Sequence, residues 1–166
     1  VLVRLRRGAT SGQYSALGQH RRRARGGAPA VTTDSIAGFP GETEEEHLET
    51  IEFMRKVGFA KVHIFPYSRR SGTKADAMPG QLSNAEKSRR AGELIAVGRE
   101  SEHEYLERYV GETVNVLIEK CVDNVSYGCT DTYAAVRINS AITPNTFADV
   151  KIKYIKEDMN GELYLL

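Results

Sequence analysis

The sequence comprises 166 residues, of which 40% are hydrophobic and 27% charged, and its formal net charge is +1. These values are typical of one medium-sized globular domain, or of part of a domain followed by a small one, and they exclude a chain too polar to fold. The sequence contains no apolar run of the roughly 20 residues that a membrane-spanning helix needs, and its start lacks the apolar core of a signal peptide. We therefore expect a cytoplasmic protein with no membrane partner.

The distribution of charge and the cysteine content indicate which partners and metal sites the sequence could support. Residues 1–27 contain seven arginines and no acidic residue, whereas residues 42–52 contain six glutamates. The arginine block suits phosphate binding, and it equally fits a solvated helix face. Cys121 and Cys129 are the two cysteines, too few for an iron-sulfur site. We predict reduced structural thiols and no metal site, and because the first residue is Val1 we expect the sequence to begin inside a longer protein.

The segment Thr32–Thr43, TTDSIAGFPGET, predicts a strand end, a turn and the start of a helix. Gly38 and Gly41 permit a sharp turn, and Thr43 followed by Glu46 forms a capping box. A turn from the carboxyl end of a strand to the amino end of a helix is where α/β proteins commonly bind ligands. An ordinary connecting loop has the same spacing, so the pattern alone leaves both readings open.

The next elements complete a βαβ unit. Apolar residues at three-residue steps predict a helix from Glu44 to Val57, and Gly58 is placed to end it. Val62–Phe65 then forms a buried-type strand, which implies a parallel pair. Because neighbouring parallel strands present their carboxyl ends at one edge, the polar loop Tyr67–Thr73 is expected to lie beside the glycine turn.

The second half of the chain has a different hydrophobic pattern from the first. Ser83 with Glu86 predicts the start of a helix that extends to about Tyr109. From Tyr109 to Leu166 the pattern alternates as in β-strands, which favours a compact barrel like an oligonucleotide-binding fold. The predicted fold class is therefore α/β plus all-β.

These motifs together resemble one family, the radical S-adenosylmethionine methylthiotransferases. The segment 32–43 is similar to the family's TTDxIxGFPGET motif, and residues 65–75, FPYSRRSGTKA, are similar to its FPYSxRxGTxA motif. Arg4 and the residues up to 14 match its RMxRxYTxxxY segment more loosely. The resemblance implies that residues 1–80 are the terminal β/α units of a partial, three-quarter TIM-like radical SAM barrel. It further implies a bridging helix at 81–108 and an OB-like, RNA-binding TRAM β-barrel at 109–166.

The residues 128–133, GCTDTY, bear on the substrate. They resemble the GxTDxY stretch of the branch that acts on threonylcarbamoyladenosine in tRNA. The resemblance implies the C-terminal fragment of an enzyme that adds a methylthio group to carbon 2 of N6-threonylcarbamoyladenosine at tRNA position 37, with the anticodon stem-loop as partner. The alternatives are the isopentenyladenosine branch, the ribosomal-protein branch, and a free-standing RNA-binding module without catalysis.

The resemblance also implies cofactors and their ligands. The family uses S-adenosylmethionine together with [4Fe-4S] clusters in the parent protein, held by cysteines that include a CxxxCxxC loop. This sequence has no such loop. We therefore expect the chain alone to be inactive and to contribute neither a catalytic residue nor a metal ligand.

Cofactor-binding residues are expected in the glycine turn, the loop after the second strand and the N-terminal strip. They are Arg4, Ile36, Gly38, Phe39, Gly41 and Tyr67. The resemblance implies that Ile36 and Phe39 pack on adenine while the two glycines offer backbone hydrogen bonds. Plain barrel core remains the alternative for Ile36 and Phe39.

RNA contacts are expected from basic and aromatic residues of the β unit, since phosphate contacts and base stacking are the binding mode of small barrels. The candidates are Tyr133, Arg137, Lys151 and Lys153. Lys151 and Lys153 fall two apart and are expected to share a face of one strand, although a solvated lysine face has the same pattern.

Overall fold

The structure, a computed structural model, describes residues 30–159 and 162–166. It divides into two compact units, with the division after Glu102. The first unit contains β1 (Thr32–Ala37), α1 (Glu44–Val57), β2 (Lys61–Pro66) and most of α2 (Asn84–Leu106). The second contains a 3-10 turn (Glu107–Tyr109), β3 (Thr113–Val122), β4 (Val125–Cys129), β5 (Ala135–Ile138), β6 (Phe147–Lys151), β7 (Ile155–Glu157) and β8 (Leu163–Leu165). The predictions for residues 1–29, including Arg4 and the arginine block, lie outside the described residues.

The predicted strand, helix and strand are confirmed. β1 and β2 pair in parallel along their whole length. At the start of α1 the Thr43 hydroxyl accepts from the Glu46 N–H at 3.2 Å, and the Glu46 carboxylate accepts from the Thr43 N–H at 3.0 Å. Gly58 ends α1 in the left-handed conformation, with φ of 61°. The local sequence signals therefore fix both ends of this helix.

Within residues 30–159 and 162–166, helices pack against one face of the two-stranded sheet. Ala37 of β1 packs with Met54 of α1 and Leu94 of α2, and each of these residues is 1% exposed. Ile36 and Phe65 lie opposite each other in register and are 56% and 55% exposed. Since side chains alternate between the faces of a strand, Ile36 lies on the face opposite the one that packs on the helices, and both barrel core and cofactor contact stay predictions for it.

α2 begins where the sequence predicts, directly after Ser83, and its α-helical part ends before the predicted Tyr109. The Ser83 hydroxyl accepts from the Glu86 N–H at 3.1 Å, as a capping box requires. The Glu86 carboxylate, however, binds Arg89 and Arg90 further along the helix. The α-helix ends at Leu106, and the predicted remainder to Tyr109 is the 3-10 turn.

The second unit is built on one six-stranded sheet in the order β6-β3-β4-β5-β8-β7. Neighbouring strands are antiparallel except β5 and β8, which are parallel. Its most deeply buried apolar residues, all 1% exposed or less, are Val116, Ile118, Val136, Ile152 and Leu165. The prediction of a unit built from β-strands is therefore confirmed, while the barrel and TRAM assignments stay predictions.

Two features of the β3–β4 pair shape this sheet. Gly128 has no room for a side chain, because a Cβ there would lie 2.1 Å from the carbonyl oxygen of Leu117. Next to it, the register shifts between Ile118 and Lys120, so that Glu119 is the extra residue of a β-bulge.

Candidate functional site

The glycine turn and the loop after β2 meet at one edge of the two-stranded sheet, as the parallel pairing predicts. The Tyr67 N–H donates to the carbonyl oxygen of Ala37 at 2.8 Å. The rings of Phe39 and Tyr67 contact edge to face, with centroids 5.3 Å apart. Two predicted cofactor residues from different loops are therefore in direct contact.

Backbone geometry explains the two glycines of the turn. Gly38 and Gly41 have φ of 72° and 77°, in the left-handed region that side-chain-bearing residues rarely adopt. Gly38 also lies against α2, where a Cβ would come 2.7 Å from the Cγ of Lys87. Gly38 is thus required both by conformation and by space.

The N–H groups of these glycines already have partners within the protein. The Gly38 N–H donates to the Glu42 carboxylate, with distances of 3.3 and 3.2 Å to its two oxygens. The Phe39 N–H donates to the same carboxylate at 3.4 Å, and the Gly41 N–H donates to the carbonyl oxygen of Gly80 at 2.9 Å. These N–H groups therefore bind partners within the protein, whereas the sequence analysis expected the two glycines to offer backbone hydrogen bonds to the cofactor.

A buried arginine completes the support of the turn. Arg90 of α2 is 4% exposed, and its Nη1 lies 2.7 Å from a carboxylate oxygen of Glu42. The same nitrogen donates to the carbonyl oxygens of Glu42 and Thr43 at 3.0 and 3.1 Å. Hydrogen bonds from Arg89 and then Arg90 hold the pKa of Glu86 at about 2. Sequence reasoning missed the role of Arg90, since its partners Glu42 and Thr43 lie 48 and 47 residues away.

His47 is a structural residue of the same region. Its side chain is 1% exposed, and its Nε2 lies 2.7 Å from a carboxylate oxygen of Glu93. This hydrogen bond lowers the pKa of Glu93, with burial opposing and Arg89 reinforcing the shift. His47 therefore links α1 to α2 through Glu93.

A second missed residue, Lys87, lies beside the aromatic pair. It is 7% exposed, and its Nζ lies 5.2 Å from the centroid of the Tyr67 ring. The Tyr67 hydroxyl is buried and has no hydrogen-bond partner among the described residues. The combination of a cation, two rings and an apolar turn is chemically suited to a flat, polar aromatic ligand.

In the β unit, the structure places Tyr133 on a rigid turn. Its side chain is 87% exposed, and its φ is 62°. Its N–H donates to the carbonyl oxygen of Thr130 at 3.0 Å, and the Thr130 hydroxyl accepts from the Ala134 N–H at 3.1 Å. Tyr133 is therefore presented to solvent by a hydrogen-bonded loop.

Arg137 belongs to a row across three strands that we call the cation–aromatic row: Lys120, Tyr127 and Arg137. Tyr127 pairs with Lys120 on one side and with Arg137 on the other. The Nζ of Lys120 lies 5.0 Å from the Tyr127 ring centroid. Sequence reasoning missed Lys120, because its place in this row depends on the bulge at Glu119.

Lys151 and Lys153 do not belong to the cation–aromatic row. Both are exposed and flank Ile152, which is 1% exposed. β6 ends at Lys151, so the expectation that both lysines share one strand is wrong. Lys153 leaves the strand because its N–H donates to the carbonyl oxygen of Leu166. Phe147, 70% exposed at the other end of β6, is an aromatic candidate that sequence reasoning missed.

Residues 30–159 and 162–166 contain no cluster of three or more His, Cys, Asp or Glu side chains arranged to hold a metal ion. In that same part of the chain, neither helix is both long and apolar enough to cross a bilayer. Burial, followed by the nearby charge of Glu119, raises the pKa of the Cys129 thiol, which disfavours the thiolate.

The fold and site define a two-unit protein whose α/β unit carries a ligand-type turn at the carboxyl end of a parallel strand. No family model matches the chain. Over 112 residues, 64% of this chain and 25% of the relative, it is 40% identical to a threonylcarbamoyladenosine tRNA methylthiotransferase of Bacillus subtilis. It is 40% identical over 119 residues to a tRNA-2-methylthio-N(6)-dimethylallyladenosine synthase of Fusobacterium nucleatum, covering 72% of this chain and 27% of the relative.

A third relative is a ribosomal protein uS12 methylthiotransferase of Alkaliphilus oremlandii, 34% identical over 145 residues, or 81% of this chain and 33% of the relative. The chain belongs to the radical S-adenosylmethionine methylthiotransferase family. It spans about a quarter to a third of the length of these curated relatives.

Proposed function

We propose that this chain is part of a tRNA methylthiotransferase that adds a methylthio group to carbon 2 of N6-threonylcarbamoyladenosine at tRNA position 37. The observation that carries the proposal is the contact between Phe39 and Tyr67 at one edge of a parallel pair, in a member of this family. The GCTDTY stretch at 128–133 supports the threonylcarbamoyladenosine substrate over the alternatives.

The proposal for the fold rests on the exposed side chains of the two-stranded sheet. Side chains on the inner face of a β/α barrel point into its interior, and the helices cover the outer face. The exposure of Ile36 and Phe65 opposite the helix-covered face supports residues 1–80 as terminal units of a partial TIM-like barrel. We assign residues 81–108 as a bridging helix and residues 109–166 as an OB-like TRAM domain.

The described residues fit the adenosine part of S-adenosylmethionine. Ile36 and Phe39 offer apolar surface, Tyr67 offers a ring, and Gly38 and Gly41 shape the turn between them. Arg4 is assigned to a carboxylate or phosphate, for which a guanidinium group is suited. When bound with a [4Fe-4S] cluster, S-adenosylmethionine supplies the radical chemistry of the family.

Cluster ligands are not available from this sequence. An iron-sulfur cluster is held by several cysteine thiolates, and the chain has only Cys121 and Cys129. In the proposal those ligands belong to residues outside the sequence, and the chain contributes to binding and orientation of the cofactor.

The RNA partner is proposed from the charge and aromatic content of the β unit. Tyr133, Arg137, Lys151 and Lys153 are assigned to the tRNA anticodon stem-loop, and the cation–aromatic row adds Lys120 and Tyr127. Exposed cations contact phosphates and aromatic rings stack on unpaired bases. A tRNA substrate also implies a cytoplasmic location.

The proposal is tested by expressing the full-length protein that contains this segment in bacteria deleted for their own methylthiotransferases. Digested tRNA is analysed by liquid chromatography and mass spectrometry, and ribosomal protein uS12 is analysed in parallel. We expect 2-methylthio-N6-threonylcarbamoyladenosine. Methylthiolation of isopentenyladenosine or uS12 would assign the chain to another branch, and no product from cluster-loaded protein would refute the proposal.

A further inference from the structure

We propose that Arg90 is a positioning residue for the Gly38–Gly41 turn and that it acts through Glu42. The described contacts alone support the positioning. The consequence for cofactor binding rests on the proposed function, which assigns this turn to the adenosine of S-adenosylmethionine.

The first step concerns Glu42, which accepts hydrogen bonds from the backbone of the turn. Its carboxylate accepts the N–H groups of Gly38 and Phe39. A two-glycine turn has an unusually large set of accessible backbone conformations, and a shared acceptor for two successive N–H groups selects one of them. Glu42 therefore restrains the backbone that carries the Phe39 ring beside Tyr67.

The second step concerns the burial of Glu42 and its partner. The Glu42 side chain is 16% exposed, and that of Arg90 is 5% exposed. A partly buried carboxylate needs a charged partner in good geometry, and Arg90 supplies it at 2.7 Å. Because Arg90 also donates to the carbonyl oxygens of Glu42 and Thr43, it ties the turn and the start of α1 to α2.

The neighbouring Arg89 provides a natural comparison. It forms three ion pairs, with Glu44, Glu86 and Glu93, and its side chain is 41% exposed. Its ion pairs do not include Glu42. The two adjacent arginines thus have similar numbers of carboxylate partners, and Arg90 is the one that contacts the turn.

The consequence is preorganisation of the cofactor turn. A site that is ordered before binding avoids the conformational entropy of ordering on binding. Loss of Arg90 is therefore expected to weaken S-adenosylmethionine binding without removing any group that touches the cofactor.

The experiment uses the full-length protein that contains this segment, with its clusters reconstituted. Arg90→Met is compared with Arg89→Met as the matched control and with Arg90→Lys, which keeps the charge but loses the forked geometry. Amide hydrogen exchange is measured at Gly38 and Phe39 by mass spectrometry with fragmentation. The dissociation constant for radiolabelled S-adenosylmethionine is measured by equilibrium dialysis.

We expect Arg90→Met to accelerate exchange at both amides and to weaken binding about tenfold, the equivalent of one lost charged hydrogen bond. Arg89→Met should leave both measurements within about twofold, and Arg90→Lys should fall between the two. If the Met variants of Arg89 and Arg90 behave alike in exchange and affinity, the inference is wrong.

Two further outcomes are decided in advance. If Arg90→Met does not fold, Glu42→Gln, which weakens the same contact from the other side, must produce the faster exchange at Gly38 and Phe39, and unchanged exchange would overturn the inference. If the unmodified protein does not bind S-adenosylmethionine, the proposed cofactor role fails, while the exchange data still decide whether Arg90 positions the turn.

Discussion

Two lysines in this molecule lie over tyrosine rings with nearly the same geometry and opposite surroundings. Lys87 Nζ is 5.2 Å from the ring centroid of Tyr67, and Lys120 Nζ is 5.0 Å from that of Tyr127. Lys87 is 7% exposed, whereas Lys120 is exposed on the sheet. The same residue pair therefore serves a protein-enclosed turn in one unit and a solvent-facing surface in the other.

This comparison indicates that the burial of a basic side chain, and not its residue type, determines whether it supports the protein backbone or faces a partner. Around the glycine turn, Arg90 forms ion pairs with Glu42, Glu44 and Glu86. In the cation–aromatic row, the cations lie on either side of an aromatic ring. The first arrangement stabilises a backbone conformation, and the second remains available to an anionic partner.

The largest expected effect is a loss of stability caused by a substitution inside the six-stranded sheet. Gly128→Ala would place a Cβ 2.1 Å from the Leu117 carbonyl oxygen, so the β3–β4 pair must move apart. We expect a loss of about 3 kcal/mol or more in the free energy of unfolding. Thermal melting followed by circular dichroism measures it, and a melting temperature equal to that of the unmodified protein would refute the steric argument.

The next prediction addresses the cation–aromatic row. Lys120→Gln and Arg137→Gln should each weaken binding of a synthetic anticodon stem-loop RNA, and each should reduce the slope of log affinity against log salt by about 0.7 to 0.9. Lys56→Gln, an exposed lysine of α1, is the matched control. Equal slopes for all four proteins in a fluorescence-anisotropy titration would remove the row from the RNA-binding surface.

A smaller effect of opposite sign is expected in α2. Gly92 lies in the helix, is exposed, and a Cβ there would meet no atom within 4 Å. Gly92→Ala should raise the free energy of unfolding by about 0.5 to 1 kcal/mol, because glycine is the more costly residue to order in a helix. A lower melting temperature than that of the unmodified protein would show that position 92 is not open.

The smallest expected effect is a pH dependence around Glu86. Its pKa is held at about 2, against an ordinary value of 4.5, by Arg89 and then Arg90. A carboxyl whose pKa is lowered by folding stabilises the protein above its ordinary pKa, and that contribution is lost as the pH falls from 4.5 toward 2. Glu86→Gln should make the melting temperature less dependent on pH across this interval, and an unchanged dependence would contradict the ion-pair assignment.

Local rules predicted the parts of the fold that depend on neighbouring residues. The Thr43 capping box, the Gly58 cap and the parallel pair all follow from patterns a few residues long. The contact of Arg90 with Glu42 joins residues 48 positions apart, and no spacing rule reveals it. Ile36 was ambiguous because an apolar strand residue suits a core as well as a ligand, and only the placement of the helices decides which face it occupies.

The bulge at Glu119 sets the direction in which Lys120 points. In a regular strand, residue 120 would share the face of Ile118, which is 0% exposed. The extra residue instead pairs Lys120 with Tyr127. A chain that lost Glu119 would run from the Ile118–Gly128 pair straight to the Lys120–Tyr127 pair. Removal of Glu119 would therefore leave the other β3–β4 pairs unchanged, whereas removal of an interior residue from a regular part of the strand would turn the following side chains to the opposite face.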